Sequence, residues 1–359
     1  MVAKPSVLGR GLVMWVLLGA GACREGTNTS APNARGGTPT TGGHSGENSG
    51  GMAGGHGGHD DAGEATGGSL AQSSGGMAGG HDGGADAAAE VTFTSVSAGW
   101  SHTCGLKSDG SVVCWGTNAD GESTPPSDRF TSVSCGKEFT CGVRTDGSMV
   151  CWGANWNGQT GSPPGRFSSV TSGETHSCAV HTDGTLECWG HSPSGQASAP
   201  SGTFVSVSAG DYHTCGVKTD GTIACWGGSG QIGMPSGAFL SVGAGASHTC
   251  GVKTDGTIVC WGSNDSGQAT PPSGSFVSVS ASGWHTCALD ADGHVACWGG
   301  NDYGESTPPS GTFTSVSLGR ENSCGVKTNG SILCWGINDA GQSTGAGAPR
   351  LVSTESGRQ

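Results

Sequence analysis

Charge is scarce in this chain, and positive charge most of all. Only 12% of the 359 residues are charged, and 15 Lys and Arg face 28 Asp and Glu, which gives a net charge of −13. A protein that binds a phosphate backbone or lies on an anionic membrane needs an excess of positive charge. We therefore expect no nucleic-acid partner and no electrostatic adhesion to a membrane surface.

The hydrophobic run near the N terminus is short. Lys4 and Arg10 accompany the apolar stretch GLVMWVLLG (residues 11–19), which is too short to span a bilayer and is typical of an export signal. Residues 20–23 (AGAC) then resemble the lipobox of bacterial lipoproteins, although Leu is commoner where Ala20 stands. The resemblance implies a signal peptide over residues 1–22 and a lipid on Cys23. The alternative is cleavage by ordinary signal peptidase near Ala22.

The residue after Cys23 bears on location. Lipoproteins that stay in the inner membrane tend to carry Asp at this position, whereas this chain has Arg24. The resemblance therefore implies an extracytoplasmic protein, as an outer-membrane or cell-surface lipoprotein. A secreted or periplasmic protein is the alternative, and contact with a membrane is expected only through the lipid anchor.

Bulky apolar residues are almost absent from the segment that follows. Residues 23–90 consist mainly of Gly, Ser, Ala, Thr, Asn and His, so they cannot bury enough surface to offset the entropy lost on ordering. We predict a disordered linker. The octapeptide SGGMAGGH occurs at residues 49–56 and 74–81. We interpret its histidines as part of a low-complexity spacer rather than as metal ligands.

Cysteine, in contrast, is abundant and regularly spaced. Apart from Cys23 and Cys135, the cysteines form seven pairs with nine intervening residues, and successive pairs are 37 residues apart except for one step of 35. A fixed period of this length indicates a repeat architecture. The pairs are Cys104 and Cys114, Cys141 and Cys151, Cys178 and Cys188, Cys215 and Cys225, Cys250 and Cys260, Cys287 and Cys297, and Cys324 and Cys334.

Each repeat contains three short segments rich in β-branched residues, which predict three strands. In the first repeat they are FTSVSAG (93–99), HTCGLK (102–107) and SVVCWG (111–116). The intervening SDG suits a three-residue hairpin loop with glycine in the left-handed conformation. If Lys107 pairs with Ser111 across this loop, Cys104 lies opposite Cys114, within disulfide distance.

We therefore predict one disulfide in each repeat. A zinc site requires more closely spaced cysteine or histidine ligands, and reduced thiols are expected in the cytosol, which the export signal contradicts. Cys135 stands where other repeats have Ala98 or Ala209. We predict that it is a buried, unpaired thiol.

Two aromatic residues per repeat are predicted to form the core between repeats. A histidine two residues before the first cysteine recurs at His102, His176, His213, His248 and His285, but Phe139 and Asn322 replace it in two repeats. We interpret these histidines as structural hydrogen-bonding groups rather than as a catalytic or metal-binding ring. We expect no cofactor and no enzymatic activity. The core aromatics are Trp115, Trp152, Trp189, Trp226, Trp261, Trp298 and Trp335, with Phe93, Phe130, Phe167, Phe204, Phe239, Phe276 and Phe313.

Segments such as HTCGVKTDGTIVCWGSNDSGQ (248–268) resemble the repeat of the regulator of chromosome condensation superfamily. The resemblance implies an all-β fold, a seven-bladed β-propeller over residues 91–346, with a tail at 347–359. The repeats are shorter than those of the eukaryotic nucleotide-exchange members. In length they are similar to the secreted bacterial type represented by the second beta-lactamase inhibitor protein, which implies short, mainly three-stranded blades.

One rim of this propeller is predicted to bind a partner. The loop between the first and second strands and the loop after the third strand emerge on the same side of each blade, and their residues vary most between repeats. Exposed aromatics among carboxylates are typical of recognition surfaces. The candidate binding residues are Trp100, Trp156, Tyr212, Trp284, Tyr303, Asp120, Asp211 and Asp302.

The expected function is recognition of a protein partner by a monomeric, surface-anchored propeller. The resemblance implies protein binding, because the β-lactamase inhibitor grips its target with loop aromatics on one face. Carbohydrate binding or a purely structural envelope role are the alternatives. Guanine-nucleotide exchange is the least compatible function, because it requires a cytosolic GTPase.

Overall fold

The computed structural model describes residues 92–228 and 233–345, and within them the chain forms strands and turns but no helix. The predicted signal peptide, lipidated Cys23, linker and tail 347–359 lie outside the described residues, so their boundaries stay predictions. No helix in the described part is long and apolar enough to cross a membrane.

The described strands fall into seven blades of three. Blade 1 contains β1 (Phe93–Ala98), β2 (His102–Lys107) and β3 (Val112–Gly116), and blade 2 contains β4 (Phe130–Cys135), β5 (Phe139–Arg144) and β6 (Met149–Gly153). Blade 3 contains β7 (Phe167–Ser172), β8 (His176–His181) and β9 (Leu186–Gly190), and blade 4 contains β10 (Phe204–Ala209), β11 (His213–Lys218) and β12 (Ile223–Gly227). Blade 5 contains β13 (Phe239–Ala244), β14 (His248–Lys253) and β15 (Ile258–Gly262). Blade 6 contains β16 (Ser278–Ser282), β17 (His285–Leu289) and β18 (Val295–Gly299). Blade 7 contains β19 (Phe313–Leu318), β20 (Asn322–Lys327) and β21 (Ile332–Gly336).

Each blade is an antiparallel sheet whose strands follow chain order. The predicted hairpin loop is present: the backbone N–H of Lys107 donates to the carbonyl of Ser111 at 2.8 Å, and Gly110 has a φ of 83°. The carboxylate of Asp109 accepts a hydrogen bond from the Ser111 backbone N–H at 2.8 Å, so a side chain within the turn stabilises the turn. The loop therefore sets the register of each hairpin.

The hairpin register produces the seven predicted disulfides. Cys104 lies opposite Cys114, and their Cα atoms are 4.1 Å apart. The other six pairs repeat this arrangement with Cα separations of 4.0–4.1 Å. This distance is shorter than the roughly 4.5 Å expected of an ordinary non-hydrogen-bonded pair. Each disulfide therefore draws its two strands together.

The blades pack side by side into a closed ring. The first strand of every blade contacts the first strands of both neighbours, and β1 of blade 1 contacts β19 of blade 7. The predicted core aromatics fill the blades: the ring centroids of Phe130 and Trp152 are 5.8 Å apart. Gly142 allows this packing, because a Cβ atom there would lie 2.6 Å from the Phe130 ring. These features make the fold a seven-bladed β-propeller.

The five repeated histidines make structural hydrogen bonds, as predicted, and these bonds connect neighbouring blades. His102 Nε2 lies 2.8 Å from the Thr140 hydroxyl of the next blade, and that hydroxyl donates to the carbonyl of Glu122 at 3.1 Å. The hydroxyl proton is thus committed to Glu122, so Nε2 of His102 must be the donor and Nδ1 carries no proton. The same contact recurs for the other four histidines.

The first strands are also tied to one another by hydroxyl groups. The backbone N–H of Cys135 donates to the Ser97 hydroxyl at 2.9 Å, and Ser172 N–H donates to Ser134 at 2.9 Å. Cys135 is a free, buried cysteine, as predicted, and burial raises its pKa to about 12. Small side chains at these positions allow the first strands to approach closely around the axis.

Candidate recognition surface

The loops that carry the predicted binding residues are joined at one end of each blade. The backbone N–H of Thr117, after β3, donates to the carbonyl of Ser101, between β1 and β2, at 2.8 Å. Equivalent bonds join His191 to Thr175 and Gly228 to Tyr212. These loops therefore form a continuous surface, which we call the rim. It lies at the end of the blades opposite the Asp–Gly turns.

Four of the five predicted aromatics are exposed on the rim. The exposed fractions are 68% for Trp156, 51% for Tyr212, 42% for Trp284 and 52% for Tyr303. Trp156 belongs to blade 2 and Tyr212 to blade 4, whereas Trp284 and Tyr303 both belong to blade 6. Large apolar side chains that stay in water on a rigid scaffold are typical of a binding surface.

Trp100 differs from the other four because it is only partly exposed. Its ring lies between two cations: Lys137 Nζ is 4.5 Å from the ring centroid and the Arg320 guanidinium carbon is 4.3 Å from it. Lys137 also pairs with Glu174 at 3.4 Å. Trp100 is thus part of a charged network across blades 7, 1, 2 and 3, at the mouth of the central channel.

The predicted acidic residues separate into two groups. Asp120 and Asp302 are exposed, whereas Asp211 is partly buried and lines the mouth of the central channel. Burial raises the pKa of Asp211 to about 6, with a further contribution from the negative charge of Glu174. Arg320 and Lys137 oppose this shift. Asp211 therefore differs electrostatically from the exposed carboxylates.

Among the residues that the structure describes, at least two cavities open at the rim. The channel mouth holds a cavity of about 120 Å³ lined mainly by Ser, Ala and Gly, together with Trp100 and Asp211. A second pocket, of about 270 Å³, lies between blades 3 and 4 and is lined by Asn157, Glu174, Thr175, His191, Pro193, Gln196, Asp211 and Tyr212. Asp211 thus lines both. We call the second cavity the blade 3–4 pocket.

Asparagines in the loops after the third strands serve the turns themselves. Asn118 accepts from the backbone N–H of Ser123 at 2.9 Å and donates to the Thr124 hydroxyl at 2.9 Å. Asn264 and Asn301 repeat this pattern. These side chains hold the rim loops in place.

Two groups of potential metal ligands occur among the described residues. One contains His102, Cys104 and Cys135, but the Cys104 sulfur is in a disulfide. The other is a turn in which Asp290 already accepts backbone N–H groups from Asp292 and His294. The first group serves the core and the second serves a turn.

Sequence reasoning missed an apolar group at the opposite end of the blades. Val205, Leu240 and Val277 are exposed and occupy the second position of the repeat in three consecutive blades. Other blades have a hydroxyl residue there, for example Thr94 and Thr131. The signal was visible in the aligned repeats, where these three blades replace a hydroxyl residue by Val or Leu.

The ring of three-stranded sheets defines the class of protein, a β-propeller. The regulator of chromosome condensation (RCC1) repeat matches seven segments that together cover more than half of the chain, and the chain belongs to this family. The segments are residues 93–122, 130–159, 167–196, 204–231, 239–268, 276–305 and 313–342. A search of curated proteins finds no match.

Two plant receptor kinases are similar in structure. The ectodomain of the Physcomitrella patens receptor kinase CR4 is 26% identical with a TM-score of 0.60, covering 68% of this chain and 74% of that chain. The CRINKLY WD40 ectodomain of the Arabidopsis thaliana receptor kinase ACR4 is 25% identical with a TM-score of 0.60, covering 72% of this chain and 99% of that chain. Both of those proteins are ectodomains. Disulfides form and persist in oxidising compartments, so the seven disulfides of this chain indicate an extracytoplasmic location.

Proposed function

We propose that this chain is a binding protein whose rim recognises a protein partner. The observation that carries the proposal is the exposure of Trp156, Tyr212, Trp284 and Tyr303 on one end of a disulfide-braced ring. Binding energy concentrates in a few aromatic anchors surrounded by polar groups. Carboxylates such as Asp120 and Asp302 supply that polar surround.

A binding role also fits what the histidines do. In an enzyme of this size a ring of histidines would supply general bases, but here each Nε2 is occupied by a hydroxyl of the next blade. Burial lowers the pKa of His102 to about 4, so the side chain stays neutral and enclosed. These groups support the scaffold rather than chemistry at the rim.

The repeats themselves supply substitutions that test the rim. Trp156 occupies the position of Ala119 in blade 1, and Tyr303 occupies the position of Ala340 in blade 7. Trp156→Ala and Tyr303→Ala therefore place at each site a residue that the same turn already accepts. We expect each to weaken affinity for a captured partner by about 2 kcal/mol while the melting temperature is retained.

The matched control is Leu240→Thr on the opposite end. Leu240 is as exposed as Tyr212, and Thr131 shows that Thr fits its position. The partner is captured from extracellular and envelope fractions and its affinity measured by calorimetry for each variant. If Leu240→Thr weakens binding while both rim variants bind like wild type, the proposal is wrong. Capture of a glycan instead of a protein would also contradict it.

We further propose that a lipid on Cys23 anchors the protein to the cell envelope, at the outer membrane or cell surface. The support is the short apolar run and the small residues before Cys23. A Cys23→Ser variant is expected to lose incorporation of labelled fatty acid and to leave the membrane fraction. A variant that stays in the membrane fraction would show that Cys23 is not the anchor.

A further inference from the structure

We propose that Asn157, in the rim loop of blade 2, is a site of spontaneous deamidation. The chain contains two Asn–Gly pairs, Asn157–Gly158 on the rim and Asn329–Gly330 in the hairpin turn of blade 7. Asparagine is most prone to deamidation before glycine, because glycine has no side chain to hinder attack by its backbone nitrogen. The environments of the two pairs differ, and the difference singles out Asn157.

The reaction needs only the chain and water. The backbone nitrogen of Gly158 loses its proton to hydroxide and attacks Cγ of Asn157, and the side-chain nitrogen leaves as ammonia. Water then opens the resulting succinimide ring. Cleavage of the bond from nitrogen to Cγ gives aspartate, and cleavage of the bond from nitrogen to the backbone carbonyl carbon gives isoaspartate. Because the two reacting groups belong to adjacent residues, no catalyst is needed to bring them together.

The rim loop leaves the Asn157 amide available for this reaction. Asn157 and Gly158 are both exposed. The backbone N–H of Asn157 donates to Gln159 Oε1 at 2.8 Å, but its side chain makes no hydrogen bond with any residue in 92–228 or 233–345. The Gly158 N–H, which supplies the nucleophile, has only a long bond of 3.3 Å to the Asn155 carbonyl. No atom beyond the adjacent residues lies within 4 Å of the place of a Cβ on Gly158, so the loop has room for ring closure.

The turn of blade 7 holds the same pair of residues in place. The Asn329 amide oxygen accepts from the Ser331 backbone N–H at 3.0 Å and from the Ser331 hydroxyl at 2.7 Å. The Gly330 N–H donates to the Lys327 carbonyl at 2.8 Å. Ring closure at Asn329 requires these bonds to break, so we expect it to be at least about tenfold slower than at Asn157.

Deamidation at Asn157 changes the surface that we propose as the binding site, and this consequence rests on the proposed function. Both products add a carboxylate to the blade 3–4 pocket, which Asn157 lines together with Glu174 and Asp211. Like charges so close together repel one another. Isoaspartate also lengthens the main chain beside Trp156, which is 68% exposed. The modification therefore alters the presentation of one aromatic anchor of the rim.

The first test follows the chemistry in the full chain without any partner. The protein is incubated at pH 8 in water enriched in heavy oxygen, and samples are digested and mapped by tandem mass spectrometry. Heavy oxygen enters the new carboxyl group, which separates conversion during the incubation from earlier conversion. We expect label at residue 157 to accumulate at least about tenfold faster than label at residue 329. Equal rates at the two residues, or conversion at Asn329 with Asn157 intact, would overturn the proposal.

Matched variants test the structural reason for the difference. Ser331→Ala removes a donor to the Asn329 amide and should accelerate conversion at Asn329 while leaving Asn157 unchanged. Asn157→Ser introduces the residue that blades 3 and 5 have at this position, Ser194 and Ser266, and should abolish conversion in the rim loop. An unchanged rate at Asn329 in Ser331→Ala would show that these hydrogen bonds do not protect the amide.

The second test measures the consequence for binding. Fresh and aged samples of the wild type and of Asn157→Ser are compared for affinity towards a captured partner. Aged wild type is expected to bind about tenfold more weakly than fresh wild type, whereas Asn157→Ser should bind equally well before and after the incubation. If labelled, deamidated protein binds like fresh protein, the reaction occurs but its effect on the rim is wrong, so the two parts of the proposal fail separately.

Discussion

Lowering the pH from 7 to 4.5 is expected to unfold this propeller, and the cause is the ring of buried histidines. Burial lowers the pKa values of His102, His176, His213 and His248 to about 4 and that of His285 to about 3. The unfolded chain has histidine pKa values near 6.5, so it binds more protons than the folded chain between pH 6.5 and 4. The stability that the neutral histidines contribute is therefore fully present above pH 6.5, and it is lost as the pH falls towards 4.

The expected loss is about 2 kcal/mol for each histidine by pH 4.5, and the sum of five reaches the stability of an ordinary domain. The structural reason is specific: a proton added to Nδ1 of a buried histidine finds no acceptor among the described residues. Asp211 acts in the opposite direction because its folded pKa is raised, but it is one group against five. The turn aspartates have lowered pKa values and act only below about pH 4.

Urea unfolding between pH 7.5 and 4.5, followed by tryptophan fluorescence, measures this dependence. His213→Asn introduces the residue of blade 7, Asn322, and should reduce the slope of stability against pH by about 1.4 kcal/mol per pH unit. A stability that is constant from pH 7 to 4.5 would contradict the assignment of neutral, buried histidines.

Loss of the hairpin disulfides is expected to have the second large effect. Each closes a loop with a sequence separation of 10 residues, and a loop of that size is worth about 3 kcal/mol in the chain-entropy model. The double variant Cys215→Ser, Cys225→Ser should therefore lower the melting temperature by roughly 5–10 °C. Reduction of all seven in denaturant, followed by dilution, should leave the chain unfolded.

The control for this experiment is Cys135→Ala. Cys135 is buried but unpaired, and Ala209 holds the same position in blade 4. The melting temperature of the Cys135→Ala variant should therefore differ little from that of the wild type. If fully reduced protein refolds with the melting temperature of the oxidised form, the disulfides do not stabilise the fold.

The sequence was sufficient to predict the fold because its strongest signals are local. The loop at Ser108–Gly110 sets the hairpin register, and the register places Cys104 opposite Cys114. Both depend on residues within one repeat. The exposure of Trp156 and Tyr303 was also predictable, because both lie in the tight loop that follows the third strand, within two residues of its glycine, Gly158 or Gly304.

The burial of Trp100 and Asp211, in contrast, depends on contacts between repeats. Trp100 is enclosed by Lys137 and Arg320, which lie in blades 2 and 7 and meet only when the ring closes. The burial of Asp211 likewise comes from its neighbours at the channel mouth. A single repeat contains no information on these contacts, so the sequence could place both residues on the rim but could not separate them from the exposed group.

The most direct test of the account asks which end of the propeller a partner covers. Hydrogen–deuterium exchange of the propeller alone and in complex should show slower exchange in the rim loops, including those of Trp156, Tyr212 and Trp284, with unchanged exchange in the Asp–Gly turns. Protection of the turns and of the strand starts at Leu240 and Val277, with the rim loops unchanged, would contradict it.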